Sequence, residues 1–71
     1  MEFLFSVGEV VRIKAAKIQA EIVTRKRESL SPFYFFPENY YTIRWTKKNY
    51  SEKKIEIRNT FMESDLEKMS S

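Results

Sequence analysis

The chain contains no cysteine and no histidine among its 71 residues. Without cysteine no disulfide can form, and without either residue the commonest zinc ligands are missing. The same absences remove the usual nucleophile and general base of hydrolytic enzymes. We therefore expect a protein that is not an enzyme and that holds neither a metal nor a cofactor.

Glycine and proline are scarce, with one Gly and two Pro, and there is no repeat or low-complexity tract. This composition argues against disorder. The apolar start, residues 1–7, is too short for a signal-peptide core, and nothing approaches the ~18 apolar residues of a membrane span. We expect one cytoplasmic domain over residues 1–71, with a frayed tail at 69–71 and no membrane partner.

Aromatic residues are abundant by contrast. Six Phe, four Tyr and one Trp make up 15% of the chain. Each buried ring removes on the order of 150–250 Å² from water. Because a chain below roughly 80 residues builds a core worth only a few kcal/mol, these rings are expected to supply much of its stability.

Apolar and polar residues alternate in several segments, which is the pattern of half-buried strands. It predicts strands at 10–14, 17–25, 40–45 and 53–58, and a short last strand beginning at Leu66 after a 3₁₀ turn at Ser64 or Asp65. Gly8 suits a bend before the first strand because it adopts positive φ without steric cost. The predicted core consists of the inward-facing residues Val7, Val11, Ile13, Ile18, Ala20, Ile22, Tyr41, Ile43, Trp45, Ile55, Ile57, Phe61 and Leu66.

Residues 15–24 also fit a helix. Ile18 and Ile22 match a helical spacing of four as well as a strand period of two. The β-branched run 22–24 favours the strand. The helix stays open as an alternative, and it would rule out a barrel.

The segment 26–39 is long for so small a domain and has no clear element. It contains Pro32-Phe33-Tyr34-Phe35-Phe36-Pro37. One prediction is an extra short strand at 33–36, followed by a type I turn with Pro37 and Glu38 at its centre. The other is a loop folded across an open end of the sheet.

The acidic stretch after residue 62 carries Glu63, Asp65 and Glu67. Carboxylates at this spacing could suggest a hard-cation site, but the glycine and the further ligands of a calcium loop are missing. We interpret the stretch as a turn in which Ser64 or Asp65 accepts backbone hydrogen bonds.

Four segments together resemble the small SH3-like barrels, in particular the Tudor-like and KOW-like types and short bacterial and phage proteins of that shape. They are FSVGEVVRI at 5–13, EIV at 21–23, YTIRW at 41–45 and FMESDLE at 61–67. The resemblance implies an all-β fold: a small five-stranded SH3-like barrel with a long aromatic insertion at about 26–39 between strands two and three. Ala15-Ala16-Lys17 stands where the KOW-like type has a glycine-rich basic loop, and only Tyr50 matches the Tudor-like aromatic cage.

A first functional hypothesis is a non-catalytic module that binds a protein partner. Aromatic anchors are enriched at interface centres, and two prolines would stiffen the segment that carries most of them. The alternative is that these rings cap the barrel and complete its core. The candidate partner-binding residues are Phe33, Tyr34, Phe35, Phe36, Tyr40 and Tyr50.

A second hypothesis is nucleic-acid binding. Residues 10–58 hold twelve Lys or Arg against five Glu, whereas the two ends are acidic. Cations can neutralise phosphates while neighbouring rings stack on bases. The alternative is an ordinary solvated lysine face. The candidate residues are Arg25, Lys26, Arg27, Arg44, Lys47, Lys48, Lys53, Lys54 and Arg58.

A third hypothesis is association of two copies of the chain, giving a homo-oligomer. Small sheets leave edge strands whose backbone groups need a partner or a cover. An edge strand or the aromatic segment could supply the contact.

Overall fold

The computed structural model describes residues 3–28 and 37–69, and it shows an all-β protein. The strands are β1 (Val10–Ile13), β2 (Ile18–Glu28), β3 (Glu38–Lys48), β4 (Lys54–Met62) and β5 (Leu66–Lys68). A 3₁₀ turn, Glu63–Asp65, separates the last two. The predicted five strands and the turn before the last of them are confirmed, and β2 excludes the helix at 15–24. In the described part of the chain no helix has the length and apolar character needed to cross a membrane.

All strand pairs are antiparallel, in the order β4-β3-β2-β1-β5. The first four strands form a meander, and β5 then returns to the free side of β1, where Glu67 lies opposite Arg12. The outer strands of the sheet are therefore β4 and β5. Closure of this sheet into a barrel stays a prediction.

Two tight bends flank β1. Gly8 has φ +90°, as expected, and its N–H donates to the carbonyl of Ile22 at 2.9 Å. After β1 the chain turns through Ala15-Ala16 to Lys17, which has φ +58° and donates its N–H to the carbonyl of Ile13 at 2.8 Å. A left-handed conformation costs a non-glycine residue about 1–2 kcal/mol, so this bend is held by the pairing on either side of it.

The hairpin of β2 and β3 is longer than the sequence pattern predicted. Residues 26–28 and 38–39, expected to be part of an insertion, are paired strand, and Glu28 lies opposite Glu38. Glu38 is thus the first residue of β3, and the predicted type I turn centred on Pro37-Glu38 is wrong. Cross-strand pairing, which the local pattern does not reveal, extends both strands. The extra strand predicted at 33–36 lies outside the described residues.

The core is built from the inward-facing residues of all strands except β4, together with one ring that precedes β1. Phe61 at the end of β4, along with Phe3, Ile18 and Trp45, packs against this core while remaining partly exposed. The buried members of the cluster are Phe5, Val11, Ile13, Ala20, Ile22, Tyr41, Ile43 and Leu66.

Three residues of the predicted core neither belong to the buried cluster nor pack against it. Val7 is 58% exposed because it sits in the bend beside Gly8, and Phe5 takes the buried place. Ile55 is 38% exposed and Ile57 is half-buried, since β4 is an outer strand whose first half extends beyond the core. The alternation of apolar and polar residues predicted which face of the sheet each side chain lies on. It could not show whether other residues pack over that face.

A polar cluster joins the core to the 3₁₀ turn. The fully buried Tyr41 donates its hydroxyl hydrogen to the Glu63 carboxylate and accepts the N–H groups of Leu4 and Phe5 at 3.1 and 3.2 Å. Oε2 of Glu63 also accepts from Leu4 N–H and from Nδ2 of Asn39, both at 3.0 Å. The segment before β1 is thereby attached to β3 and to the turn.

This cluster shifts the titration of both acidic groups. Burial by itself would raise the pKa of Glu63, but the hydrogen bonds from Tyr41, Leu4 and Asn39 and the charge of Arg27 outweigh it and lower that pKa. Burial, reinforced by the hydrogen bond to Glu63, raises the pKa of Tyr41 above 10.0. The fold therefore favours the ionised carboxylate and the protonated phenol.

We expect acid to weaken the fold through Glu63. Because its pKa in the folded protein lies below the ordinary 4.5, its contribution is present above pH 4.5 and is lost as pH falls through the folded value. Glu63→Gln should lower the free energy of unfolding at neutral pH by about 1–3 kcal/mol, since a half-buried charge with several hydrogen bonds is lost.

Chemical denaturation of the wild type and of Glu63→Gln from about pH 2.5 to about pH 7 measures this effect. The variant should show a flatter dependence of stability on pH below 4.5. Glu52→Gln, which changes an exposed carboxylate, is the matched control and should follow the wild type. An equal pH dependence in wild type and Glu63→Gln would contradict the role assigned to the cluster.

Candidate functional site

The far end of the β3–β4 hairpin is the most exposed part of the sheet. The two strands pair without a bulge until Lys48 lies opposite Lys54, and the chain then turns through residues 49–53. Every residue from 46 to 56 is exposed. We call residues 47–54 the lysine tip.

Asn49 organises the turn of the lysine tip. Its Oδ1 accepts the N–H groups of Ser51 at 2.9 Å and Lys53 at 3.1 Å. Its own N–H donates to the carbonyl of Lys53, and its carbonyl accepts the N–H of Glu52, both at 3.0 Å. Glu52 has φ +57°, a conformation that the four hydrogen bonds around Asn49 hold in place. Asparagine suits this position because its side chain mimics a backbone turn.

The charge of the lysine tip is positive and uncompensated. It carries Lys47, Lys48, Lys53 and Lys54 against Glu52 alone, a balance of +3. None of these four lysines forms an ion pair within residues 3–28 and 37–69. Lys48 and Lys54 are directly opposite across the hairpin, where like charges destabilise each other. An anion bound at the tip would relieve that repulsion.

Tyr50 lies at the end of the turn with its ring in solvent, at 108% relative exposure. Together with Lys47, Lys48 and Asn49 it lines an open concavity of about 300 Å³. The ring is therefore available to stack on a flat ligand while lysines lie beside it.

The basic residues predicted on β2 have structural roles. Arg25 donates from Nη1 to the carbonyl of Phe5 at 3.0 Å, and its guanidinium lies 4.7 Å from the centre of the Phe3 ring. Lys26 forms an ion pair with Glu28 at 3.3 Å. The charge of Arg27 helps to lower the pKa of Glu63, as described above.

The predicted arginines of β3 and β4 are engaged with carboxylates. Arg44 donates from Nε to Glu21 at 2.7 Å and lies 3.7 Å from Glu56. Arg58 donates to the same Glu56 at 2.8 Å. Of the nine basic residues selected from the sequence, the structure brings together the four lysines of the tip and directs the others to neighbouring groups.

Among the described residues, one exposed ring represents the predicted aromatic surface. Tyr40 is only 7% exposed, because both faces of β3 are covered at that end of the strand. Phe33, Tyr34, Phe35 and Phe36 lie outside the described residues. Tyr50 is the candidate whose ring the structure presents to solvent.

The sequence interpretation missed the role of Asn49 and the polar cluster of Tyr41. A signal existed for both: asparagine is typical of turns, and an inward-facing tyrosine needs a partner for its hydroxyl. Glu63, the first residue of the acidic stretch at 63–67, belongs to the polar cluster of Tyr41. In the described part of the chain no three His, Cys, Asp or Glu side chains are grouped so as to hold a metal.

We expect Asn49→Ala to loosen the lysine tip. The change removes the acceptor of two backbone N–H groups, so amide exchange at Ser51 and Lys53 should accelerate, and the free energy of unfolding should fall by about 1 kcal/mol. Asn59→Ala is the matched control, because the side chain of Asn59 accepts only the neighbouring N–H of Thr60 on exposed β4. Unchanged exchange at Ser51 and Lys53 would show that Asn49 does not organise the turn.

Comparisons with protein-family models, with curated proteins and with solved structures find no match for this chain. A functional proposal therefore depends on the geometry and charge of the lysine tip.

Proposed function

We propose that the protein is a non-catalytic module that binds single-stranded nucleic acid through the lysine tip. The observation that carries the proposal is the exposed Tyr50 ring, in a turn fixed by Asn49 and surrounded by lysines without ion-pair partners in the described residues. Lysines at such a site neutralise backbone phosphates while the ring stacks on an unpaired base.

The composition of the tip favours nucleic acid over a protein partner. Lysine is depleted at the centres of protein interfaces, whereas a ring among lysines is typical of surfaces that bind single strands. In the described residues no second exposed ring accompanies Tyr50, and four of the rings predicted for a protein partner, Phe33, Tyr34, Phe35 and Phe36, lie outside them.

A single strand fits better than a duplex. A base can stack on Tyr50 only when its face is free, which is the case in single-stranded segments. Stacking is tolerant of sequence, and four lysines can contact only a few phosphates. We therefore expect weak, salt-sensitive binding with little sequence preference.

We also propose that the end of the sheet that carries the core curves into an SH3-like barrel, which leaves the outer side of β4 at residues 54–60 unpaired. The support lies in β2, whose residues 18–21 pair with β1 while residues 21–28 pair with β3. The register shift between Ile22 and Thr24 lies close to this change of partner. A bulge bends a strand, and such bends let one strand serve two halves of a curved sheet.

The salt dependence of binding tests the role of the lysines. With a fluorescent oligothymidylate of about 15 nucleotides, the logarithm of the binding constant should fall by about 0.7 per phosphate contact for each tenfold rise in salt. Lys47→Gln with Lys48→Gln should weaken binding and reduce that slope by about 1.4.

Lys14→Gln with Lys68→Gln is the control for this experiment. It removes the same charge from two exposed lysines outside the tip and should leave the slope unchanged. Absence of binding at low salt, or equal losses in both double variants, would contradict a site at the tip.

Replacement of Tyr50 tests the stacking contact separately. Tyr50→Ser should weaken binding by about 1–3 kcal/mol, the range for one stacked base, without changing the salt slope. Tyr50→Phe keeps the ring and should bind as the wild type does. Equal affinities of Tyr50→Ser and wild type, measured by fluorescence anisotropy, would eliminate the stacking contact.

A further inference from the structure

The outer side of β4 is an unpaired strand edge. β4 pairs with β3 on one side, and as the outermost strand it has no described strand on the other. Residues 54–60 are exposed along this edge, apart from the half-buried Ile57. An open edge of this length is a template for another strand.

The register of the hairpin shows which backbone groups face outward. The bond from Asn49 N–H to the Lys53 carbonyl marks a hydrogen-bonded position, and these positions alternate along a regular antiparallel ladder. Odd-numbered residues of β4 therefore bond to β3, and even-numbered ones direct N–H and C=O outward. The N–H of Thr60 agrees with this assignment, because it donates to Oδ1 of Asn59 at 2.8 Å.

The outward-bonding residues carry charges of alternating sign, Lys54, Glu56 and Arg58. If a second copy pairs antiparallel with β4 and the two-fold axis passes through Ile57, Glu56 of each copy lies opposite Arg58 of the other. Even-numbered residues then meet even-numbered ones, which is the pairing that their outward backbone groups require. The edge is thus complementary to itself in both hydrogen bonding and charge.

Other registers fit less well. An axis at Glu56 places two carboxylates opposite each other, and an axis at Arg58 places two guanidinium groups opposite each other, both unfavourable. An axis at Ile55 pairs Lys54 with Glu56, but it overlaps only residues 54–56. The Ile57 register overlaps residues 54–60 and forms two opposite-charge pairs.

We propose that the protein forms an antiparallel dimer through β4, centred on Ile57, with Glu56 of each copy opposite Arg58 of the other. Ile57 faces its counterpart at a position without direct hydrogen bonds, where side chains approach most closely. The contact covers the half-buried Ile57 and the exposed Ile55. The hydrogen bond from Arg58 lowers the pKa of Glu56, so the carboxylate is charged at neutral pH.

Charge reversal on β4 tests the register. Glu56→Arg and Arg58→Glu each place like charges opposite one another, so each variant alone should dimerise about tenfold or more weakly than the wild type. An equimolar mixture of the two variants should form a heterodimer of about twice the 8.6 kDa chain, because residues 56 and 58 of each copy then face charges of opposite sign. Sedimentation equilibrium over a range of concentrations measures all three.

The matched control is a charge pair of the same spacing on β2, where Lys26 contacts Glu28. Lys26→Glu and Glu28→Arg should each dimerise as the wild type does. A wild type that stays monomeric up to about millimolar concentration, or a mixture of the β4 variants that stays monomeric, overturns the proposal. Loss of dimer in Glu56→Arg but not in Arg58→Glu overturns the Ile57 register.

Amide exchange of the unaltered protein gives a test that needs no variant. The outward N–H groups of Glu56 and Arg58 should become protected as the concentration rises, whereas those of Ile55 and Ile57 should be protected throughout. Protection of Glu56 and Arg58 that does not depend on concentration, or that never develops, overturns the dimer.

Discussion

The buried hydroxyl of Tyr41 constrains the rest of the structure. Its ring fills the core, where an unsatisfied hydroxyl would be costly, so partners must be brought to it. The Glu63 carboxylate and the N–H groups of Leu4 and Phe5 supply them. One side chain thus joins β3, the 3₁₀ turn and the segment before β1. The turn also connects the end of β4 to β5, which pairs with β1.

This arrangement concentrates the core at one end of the long hairpin. There the sheet is covered, whereas residues 46–56 extend into solvent. The exposed end is stabilised by cross-strand pairing and by the hydrogen bonds of Asn49. The lysines and Tyr50 of this end point into solvent, where the proposed nucleic-acid contact uses them.

The lysine tip and the edge of β4 belong to the same hairpin but use different groups. The proposed nucleic-acid contact uses lysine side chains and one ring, whereas the proposed dimer uses backbone groups of β4 and the Glu56–Arg58 pairs. In the proposed dimer Lys54 of one copy lies opposite Thr60 of the other, so the two Lys54 residues, at the near ends of the tips, are about 20 Å apart along the strands. A nucleic-acid strand that contacts both lysine tips would bind more tightly than one that contacts a single tip, because the two sites are linked and the effective concentration of the second is raised.

The sequence by itself determined the five strands, the 3₁₀ turn and the bend at Gly8, because alternation and turn chemistry are properties of neighbouring residues. Only the tertiary structure decided that Val7 and Ile55 are exposed, that Tyr40 is buried, and that Arg44 is paired with Glu21. Each of these outcomes depends on which residues from a distant part of the chain pack against the side chain or pair with its charge. A local pattern indicates which side of a sheet a residue faces, but coverage and charge pairing are set by long-range contacts.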